Sequence, residues 1–421
     1  MYDIVIIGAG VSSIFTMLKL DDKQKILAID SGPSIEERLE KPSASGFGGL
    51  GLSEGKYNFS PYLGSNLSSK IGDKLVRKQL SEVEEIINTF GGQSALKYQS
   101  DADSHLSREG DSPIHFLDCP TKHLGTKLSK EVYTNIFAHL SNRIEFLFNN
   151  AVTNLEKTDD TFRITTSENH VFYSKKVIIA TGSKKNPSLD NSLAELGLAY
   201  QKKRIDIGFR IETLSETLDP ILQNNLEVKM RSGHLYSYCM NKFGRVIKRN
   251  LHGRVTPDGQ NCREDKPSNN LNFTLFRPYH FDNEAQMNAY LDPLFHKINQ
   301  DRGRIIGYPL HSLSSEFKPR KKIEGTLPYE SDFAADIILD DLLKETIAFF
   351  HCLEQVSQSK IDGNTLLYCY DTKELGPEIH TDISFESDVP NLFFIGDCSG
   401  VTHSLSHAAC SGLYLGKALR D

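Results

Sequence analysis

Two glycines near the start of the chain have the type and spacing that bind a pyrophosphate. They belong to the segment Gly8-Ala9-Gly10-Val11-Ser12-Ser13, which follows a β-branched run and opens a predicted helix. Gly8 permits a tight turn, and Gly10 lets main-chain N–H groups approach the phosphates without a Cβ in the way. The helix N-terminus adds donors that hold negative charge. Ser12 and Ser13 complete the predicted phosphate site, and Ser13, where this motif usually has glycine or alanine, is small enough for close helix–strand packing.

Asp30 has the position of a ribose-binding carboxylate. It stands 20 residues after Gly10, at the end of a second predicted strand, where a carboxylate accepts hydrogen bonds from ribose hydroxyls. Ser31 follows it and belongs to the same predicted site. Strand, turn, helix, second strand and acidic end, in this order, predict a dinucleotide-binding βαβ unit. A glycine turn in an unrelated α/β fold is the alternative, and the motif alone does not distinguish FAD from NAD.

The elements that must position these residues follow from the hydrophobic pattern. Residues 4–7 form an unbroken β-branched run, which predicts a buried parallel strand. Helical spacing predicts further helices at 67–90, 129–140, 283–298, 333–350 and 405–419. From residue 204 to residue 255 the pattern changes to short strands with glycine turns, which indicates a second, β-rich domain.

The bulk composition excludes several functional classes. The net charge of −7 argues against a general nucleic-acid or membrane-surface partner. We see neither a long apolar span nor a basic leader before an apolar core, so we expect a cytoplasmic protein. The 7 cysteines include no CxxC pair, which predicts reduced thiols rather than a redox-active disulfide.

Two distant segments resemble FAD-binding proteins of the glutathione reductase type. Val177-Ile178-Ile179-Ala180-Thr181-Gly182 is similar to their alanine–threonine–glycine return strand, and the strand that ends in Gly396-Asp397 is similar to their C-terminal motif. The resemblance implies FAD contacts for Thr181, Gly182, Gly396 and Asp397, with the aspartate on the ribityl chain. It also implies that a final helix beginning near Ser404 and Leu405 points its N-terminus at the flavin, and that Val152 lies on an adenine-contacting strand.

More motifs resemble the largely uncharacterised bacterial FAD-dependent dehydrogenases. They include the glycine-rich loop from Gly46 to Lys56 with Gly48 and Gly49, the segment Lys122-His123-Leu124-Gly125-Thr126, and the C-terminal Gly396-Asp397-Cys398-Ser399-Gly400. The family often continues Cys239-Met240 with Cys-Pro, but here Asn241 and Lys242 follow, so a role for paired thiols is not expected. The resemblance implies fold and cofactor but no substrate.

We therefore predict an α/β fold in which a Rossmann-like three-layer FAD-binding domain carries an inserted β-rich substrate domain. Residues 1–200 and 346–421 form the first domain, and residues 201–345 form the second. No second glycine motif of this kind is present, so we do not expect a dedicated NAD(P)H domain. NADH or NADPH is then a transient donor at the flavin, or the donor is a protein redox partner.

Three residues are candidates for catalysis. His403 precedes the last helix and is a candidate proton donor, with capping or packing as the alternative. Tyr238 lies in the β-rich region, where a phenol could relay a proton. Arg210 lies on a predicted buried strand and is either an anchor for a substrate carboxylate or a structural ion pair. His403 and His407 have a metal-binding spacing, but we find no third ligand near them and predict no metal site.

The predicted function is an FAD-dependent oxidoreductase, a dehydrogenase or reductase that transfers a hydride between flavin and a small organic substrate. Flavin enzymes need little side-chain chemistry because the cofactor carries the hydride. Two alternatives remain open: an FAD-dependent monooxygenase or oxidase that uses O2, and a flavin-binding redox or structural partner protein without small-molecule turnover. No nucleic-acid or membrane partner is expected.

Overall fold

The structure is a computed structural model in which the strands form several sheets. The model describes residues 1–41, 43, 45–98, 114–117, 119–183, 186–198, 203–222, 228–251, 253–262, 265–331, 337–376 and 378–420. The strands, in chain order, are β1 Tyr2–Ile7, β2 Ile26–Ile29, β3 Lys56–Asn58, β4 Lys97–Tyr98, β5 His115–Leu117, β6 Thr121–His123, β7 Glu145–Leu147, β8 Val152–Thr158, β9 Thr161–Thr166, β10 Val171–Ile179, β11 Lys203–Leu214, β12 Lys229–Ser232, β13 Leu235–Lys242, β14 Arg245–Leu251, β15 Arg254–Gln260, β16 Asn270–Phe281, β17 Ile306–Pro309, β18 Leu366–Glu374 and β19 Leu392–Phe394.

The helices connect and cover these strands. In chain order they are α1 Val11–Met17, α2 Ile35–Glu40, α3 Leu67–Ile71, α4 Asp73–Thr89, α5 Gly125–Leu140, α6 Pro187–Glu195, α7 Asp219–Leu222, α8 Glu284–Asn299, α9 Leu310–Leu313, α10 Asp340–Ser357 and α11 Leu405–Ala418. The predicted α/β class is thereby confirmed. In the described part of the chain, no helix is both long and apolar enough to cross a membrane.

The chain divides into two compact units. The first unit contains Met1–Lys97, Pro120–Lys203 and Leu375–Asp421, and the second contains Tyr98–Cys119 and Arg204–Glu374. Residues 346–374, which the sequence placed with the nucleotide-binding domain, lie in the second unit because β18 pairs with β11 and β17. The predicted boundary at residues 200 and 201 lies outside the described residues.

The main sheet of the first unit has the strand order β7-β2-β1-β10-β9-β8, with β19 also paired to β10. The pairs among β7, β2, β1, β10 and β19 are parallel, whereas β10, β9 and β8 form an antiparallel meander. The carboxyl ends of the parallel strands therefore meet at one edge of the sheet. In open α/β sheets this edge is where ligands bind.

Both faces of this sheet are buried, which explains the unbroken apolar run of β1. Ile4 and Ile6 belong to one core together with residues of α1, α4, α5 and α11. Val5 and Ile7 belong to a second core with residues of β8, β9 and α6. Because successive side chains of a strand point to opposite faces, a strand covered on both sides needs apolar residues at every position.

Helices α1 and α11 pack unusually closely and run in the same direction. A Cβ added at Gly412 would lie 2.1 Å from the Ser12 carbonyl oxygen, and one added at Gly416 would lie 2.6 Å from the Thr16 carbonyl oxygen. These contacts pair the two helices turn by turn, so their N-termini lie at the same end. The glycines are thus required by helix packing.

The second unit is built on a sheet with the order β17-β18-β11-β16-β13-β12-β5, accompanied by the β14–β15 hairpin. One face of this sheet, including Ile205, Ile207 and Phe209, packs in a core with residues of α8 and α10. The helix predicted at 283–298 is α8. The helix predicted over 67–90 in the first unit is instead split into α3 and α4, because Gly72 adopts a non-helical φ of +84°.

Candidate functional site

Backbone hydrogen bonds bring three turns together at the carboxyl edge of the first unit's sheet. The Gly8 N–H donates to the Ile29 carbonyl at 2.7 Å, and the Ala180 N–H donates to the Ile7 carbonyl at 2.8 Å. The Ile395 N–H donates to the Ile179 carbonyl at 3.1 Å. The residues that follow β1, β10 and β19 are therefore adjacent, although they are far apart in sequence.

The β1–α1 turn is the tightest part of this edge. Gly8 has a φ of +104°, and a Cβ there would lie 2.4 Å from the Ala180 carbonyl oxygen, so only glycine fits. Gly10 is different, because its φ is −80° and an added Cβ would meet no protein atom within 4 Å. Ser13 ties the turn to the helix, since its Oγ donates to the Gly8 carbonyl at 2.5 Å.

Helix α1 begins at Val11, its N-cap residue Gly10 provides no side-chain cap, and its first turn contains no acidic residue. At this N-cap, a Cβ added to Gly10 would meet no atom within 4 Å. A helix N-terminus of this kind attracts an anion. The turn therefore has the donors and the room that a phosphate group needs.

Asp30 is anchored at the end of β2 by main-chain donors. The Ala9 N–H and the Gly32 N–H each donate to its carboxylate at 2.7 Å. A carboxylate offers about four acceptor positions, so both oxygens can still accept hydroxyl hydrogen bonds. The neighbouring Ser31 is exposed. The carboxylate is therefore held next to the β1–α1 turn, as the sequence spacing predicts.

Val152 begins β8 and is buried in the second core of the first unit. Its carbonyl accepts a hydrogen bond from Asn186 Nδ2 at 3.0 Å. The chain just before it is tied to Asp30, because the Asn150 N–H donates to the Asp30 carbonyl at 3.0 Å. Val152 thus lies two residues after Asn150 in the chain, and an adenine contact of Val152 stays a prediction.

The glycine-rich loop packs directly on the β1–α1 turn. The Gly48 N–H donates to the Ala9 carbonyl at 2.8 Å, and a Cβ at Gly49 would lie 3.5 Å from the Gly10 Cα. Gly48 has a φ of +81°, which favours glycine there, and an added Cβ would also come within 2.0 Å of Leu52 Cδ1. The loop therefore lies against the backbone of the β1–α1 turn.

Arg38 holds this loop in place and is a residue that sequence reasoning did not find. Its Nη1 donates to the carbonyls of Phe47 at 2.5 Å and Gly49 at 3.0 Å, and its Nη2 donates to the Ser43 carbonyl. The side chain is buried, and burial lowers the pKa of Arg38 while the nearby Asp30 opposes that shift. The sequence does contain one signal for Arg38. Ser34 and Glu37 form a capping box, a pattern that marks the start of the short helix α2 in which Arg38 lies.

The turn after β19 faces helix α1. Gly396 has a φ of +72°, and a Cβ there would lie 2.5 Å from Ser12 Oγ. Asp397 is half-buried, and its Oδ1 accepts a hydrogen bond from Thr402 Oγ1 at 3.0 Å. Burial raises the pKa of the adjacent Cys398 thiol to about 11, so a thiolate at this turn is not expected. Thr181 and Gly182 follow the neighbouring strand β10.

His403, Ser404 and Leu405 form the start of α11 beside this turn. The His403 N–H donates to the Gly64 carbonyl at 2.7 Å. Ser404 caps the helix, and its Oγ lies 3.0 Å from His407 Nδ1. His407 is fully buried, and burial lowers its pKa to about 4. His407 is thus neutral at physiological pH and structural, whereas His403 is half-buried at the same edge as Asp397.

Arg210 lies in the second unit, inside a fully buried polar network. Its guanidinium donates to Thr274 Oγ1 at 3.1 Å, to the Cys239 carbonyl at 3.0 Å and to Asn272 Oδ1. It also lies 3.7 Å from Asp371 Oδ2. The geometry favours the structural ion pair over the predicted carboxylate anchor, because most of its N–H donors already bind the protein.

Asp371 is the buried counterpart of Arg210. Burial and the nearby Asp258 raise the pKa of Asp371 to about 7, and Arg210 opposes this shift. Thr274 Oγ1 donates to the same carboxylate at 2.5 Å. The Arg210 guanidinium therefore favours the ionised form of a carboxyl group whose burial disfavours that form.

Tyr238 also lies in the second unit and is half-buried on β13. Two ammonium groups lie over its ring, Lys229 Nζ at 4.5 Å and Lys373 Nζ at 4.1 Å from the centroid. Sequence reasoning did not find either lysine. Lys373 is 135 residues from Tyr238, and the two meet only because β18 and β13 belong to the same sheet.

The comparisons with known proteins give only weak likenesses. No protein-family model matches the chain, and no curated protein matches it. The Diels-Alderase PyrE3 of pyrroindomycin biosynthesis is 10% identical with a TM-score of 0.36, covering 96% of this chain and 60% of PyrE3. CtdE in complex with FAD is 10% identical with a TM-score of 0.39, covering 99% of this chain and 83% of CtdE. NikD, an unusual amino acid oxidase essential for nikkomycin biosynthesis, is 10% identical with a TM-score of 0.42, covering 100% of this chain and 93% of NikD.

Proposed function

We propose that this chain is an FAD-dependent oxidoreductase whose first unit is a Rossmann-like FAD-binding domain. The observation that carries the proposal is the open space at Gly10, where an added Cβ would meet nothing within 4 Å. Around it lie the uncapped first turn of α1, the carboxylate of Asp30 and the Gly396-Asp397 turn. This combination fits a dinucleotide that contains a pyrophosphate, a ribose and a polyol chain.

Each part of such a dinucleotide has a matching group in the first unit. The N–H groups at the start of α1 bind the pyrophosphate, and Asp30 accepts hydrogen bonds from the ribose hydroxyls. Asp397 accepts hydrogen bonds from the ribityl chain, and Ser404 and Leu405 present the N-terminus of α11 to the flavin end. This helix has no acidic residue in its first turn, so its dipole favours negative charge there.

The bound flavin supplies hydride transfer, which no protein side chain provides. The chain's own residues orient the partners and move protons. His403 is the proposed proton donor, because it precedes α11 at the edge that carries Asp397, and Tyr238 is a proposed proton relay in the second unit. Arg210 supports the fold of that unit and has no proposed contact with substrate.

Anaerobic reduction tests this assignment. We expect the purified protein to be yellow, and NADH or NADPH to bleach its flavin without a second nucleotide domain. Bleaching that fails with both nucleotides and with a panel of organic donors would contradict the dehydrogenase or reductase assignment. The reoxidation rate of the reduced protein in O2 then separates a dehydrogenase, which reacts slowly, from an oxidase or monooxygenase.

A further inference from the structure

The segment from residue 46 to residue 66 contacts both ends of the proposed cofactor site. Near its start, the Gly48 N–H donates to the Ala9 carbonyl of the β1–α1 turn at 2.8 Å. Near its end, the Gly64 carbonyl accepts a hydrogen bond from the His403 N–H, just before α11, at 2.7 Å. Strand β3 lies between these contacts in the chain and pairs with β6. These two strands therefore belong to the part of the first unit that joins the pyrophosphate turn to the start of α11.

The pair of strands β3 and β6 has one polar face. Tyr57 lies in a hydrophobic core of the first unit, so its neighbours Lys56 and Asn58 point to the opposite face by strand alternation. Their register partners on β6 are His123 and Thr121. Thr121 Oγ1 donates to Asn58 Oδ1 at 3.0 Å. This face is therefore polar, although all of its four residues except Lys56 are buried.

His123 is the residue of this face whose hydrogen-bonding capacity is not used. Both of its ring nitrogens are buried, and neither has a hydrogen-bond partner among the described residues. Glu54 Oε2 nevertheless lies 3.1 Å from His123 Nε2, which is within ion-pair distance. A buried imidazole without hydrogen bonds destabilises the fold. A proton shared between His123 and Glu54 would remove this cost.

Glu54 is the exposed member of this pair. Its side chain is 40% exposed, whereas that of His123 is 5% exposed. The backbone at Glu54 is fixed, because its carbonyl accepts a hydrogen bond from the Gly125 N–H at 2.9 Å. Lys56, which is in register with His123, adds a positive charge on the same face. The pair thus has an inner member that solutes do not reach and an outer member that they do.

We propose that Glu54 and His123 form an acid–base pair that supplies the proton when the flavin reduces a C=C bond conjugated to a carbonyl. The inference rests on the proposed function and deepens it, because it names the substrate class. Such a reduction needs one hydride, which the reduced flavin gives to one carbon, and one proton, which the other carbon receives with the π electron pair. The proton leaves His123 Nε2, passes to Glu54 Oε2 and then to that carbon, and water reprotonates the pair through Glu54. Glu54 is the catalytic residue, His123 is its positioning residue, and the pair adds a second proton source to His403.

NMR of the FAD-loaded full chain, labelled with 13C at histidine Cε1, tests the pair without a substrate. The His123 resonance is the one that His123→Asn removes, and the flavin is reduced anaerobically with dithionite. Reduced flavin carries added negative charge, so the midpoint pH of the His123 resonance should rise by about one pH unit or more, an about tenfold gain in proton affinity. Glu54→Gln should lower this midpoint by a similar amount, and Glu54→Asp should lower it less. His139, about 20 Å farther along α5, is the internal reference and should not respond.

Reoxidation of the reduced protein separates proton transfer from electron transfer. The probe 2-cyclohexenone takes a hydride and a proton, whereas ferricyanide takes electrons alone. Glu54→Gln should slow reoxidation by 2-cyclohexenone about 100-fold and leave reoxidation by ferricyanide unchanged, and Glu131→Gln, exposed on α5, should change neither. Equal slowing with both acceptors, no reaction of the parent with 2-cyclohexenone, or a His123 resonance that ignores flavin reduction would overturn the proposal. Flavin absorbance is measured first, so a colourless protein contradicts the proposed function, and a yellow protein that fails these tests contradicts the acid–base pair alone.

Discussion

Replacing Gly10 with valine should leave the fold intact and strongly weaken FAD binding. The φ of −80° and the extended ψ of −169° at Gly10 are accessible to any L-residue, and an added Cβ meets no protein atom within 4 Å. The expected cost to folding is that of a changed helix N-cap, about 0.5–1 kcal/mol. The valine side chain would instead occupy the space assigned to the pyrophosphate.

The loss of cofactor affinity follows from the main-chain donors that the valine blocks. Two hydrogen bonds from N–H groups to a charged phosphate contribute about 1.5 kcal/mol or more each. Their loss therefore weakens FAD binding by about 3 kcal/mol, which is more than about 100-fold. The assay is fluorescence titration of the apoprotein with FAD, alongside chemical denaturation that measures the free energy of unfolding.

Gly8→Ala is the matched control in the same turn. Its φ of +104° and the 2.4 Å approach of a Cβ to the Ala180 carbonyl oxygen predict a folding defect of about 3 kcal/mol or more. A Gly10→Val protein that stays fully loaded with FAD would refute the placement of the pyrophosphate. A Gly10→Val protein that unfolds as readily as Gly8→Ala would refute the claim that the space beside Gly10 is open.

Three further predictions follow from buried charged and titratable groups. Arg38→Met should lower the free energy of unfolding by about 3 kcal/mol, because it leaves loop carbonyls unsatisfied, and Arg38→Lys should restore little of this stability. Chemical denaturation of both variants checks this, and an unchanged free energy of unfolding in Arg38→Met would contradict it. For His407, whose folded pKa of about 4 lies below the ordinary value of 6.5, the unfolded state binds the proton first as pH falls. Stability should therefore decline by about 3 kcal/mol between about pH 7 and about pH 4, and His407→Asn should flatten this slope; an unchanged slope would count against the assignment. Arg210→Leu should destabilise the protein by about 3 kcal/mol or more, because the buried acceptors at Thr274, Asn272 and Cys239 lose their guanidinium donor. A stable variant with only a raised KM would show instead that Arg210 anchors a substrate.

The sequence predicted the β1–α1 turn and the strand end at Asp30 because the relevant signals are local. Gly8, Gly10 and Asp30 lie within one βαβ unit, so spacing alone places them on a turn and at a strand end. The structure brings the Gly396-Asp397 turn to the same edge, and the sequence indicated this only through a motif resemblance. No local sequence pattern indicates that β19 pairs with β10.

The parts that the sequence did not predict depend on contacts between distant segments. Arg38 reaches the glycine-rich loop through a short helix, and its role is visible only once both segments are folded. Lys229 and Lys373 meet over Tyr238 because strand register aligns them across the sheet. The same register places β18 in the second unit, a pairing that hydrophobic periodicity alone does not encode.

The affinity of the apoprotein for FAD and for riboflavin, titrated in parallel, tests the central claim most directly. If the turn at Gly10 binds the pyrophosphate, FAD binds tightly at one molecule per chain, and riboflavin, which lacks the phosphates and the adenosine, binds far more weakly. Equal affinities for the two molecules, or no binding of FAD, would contradict the account.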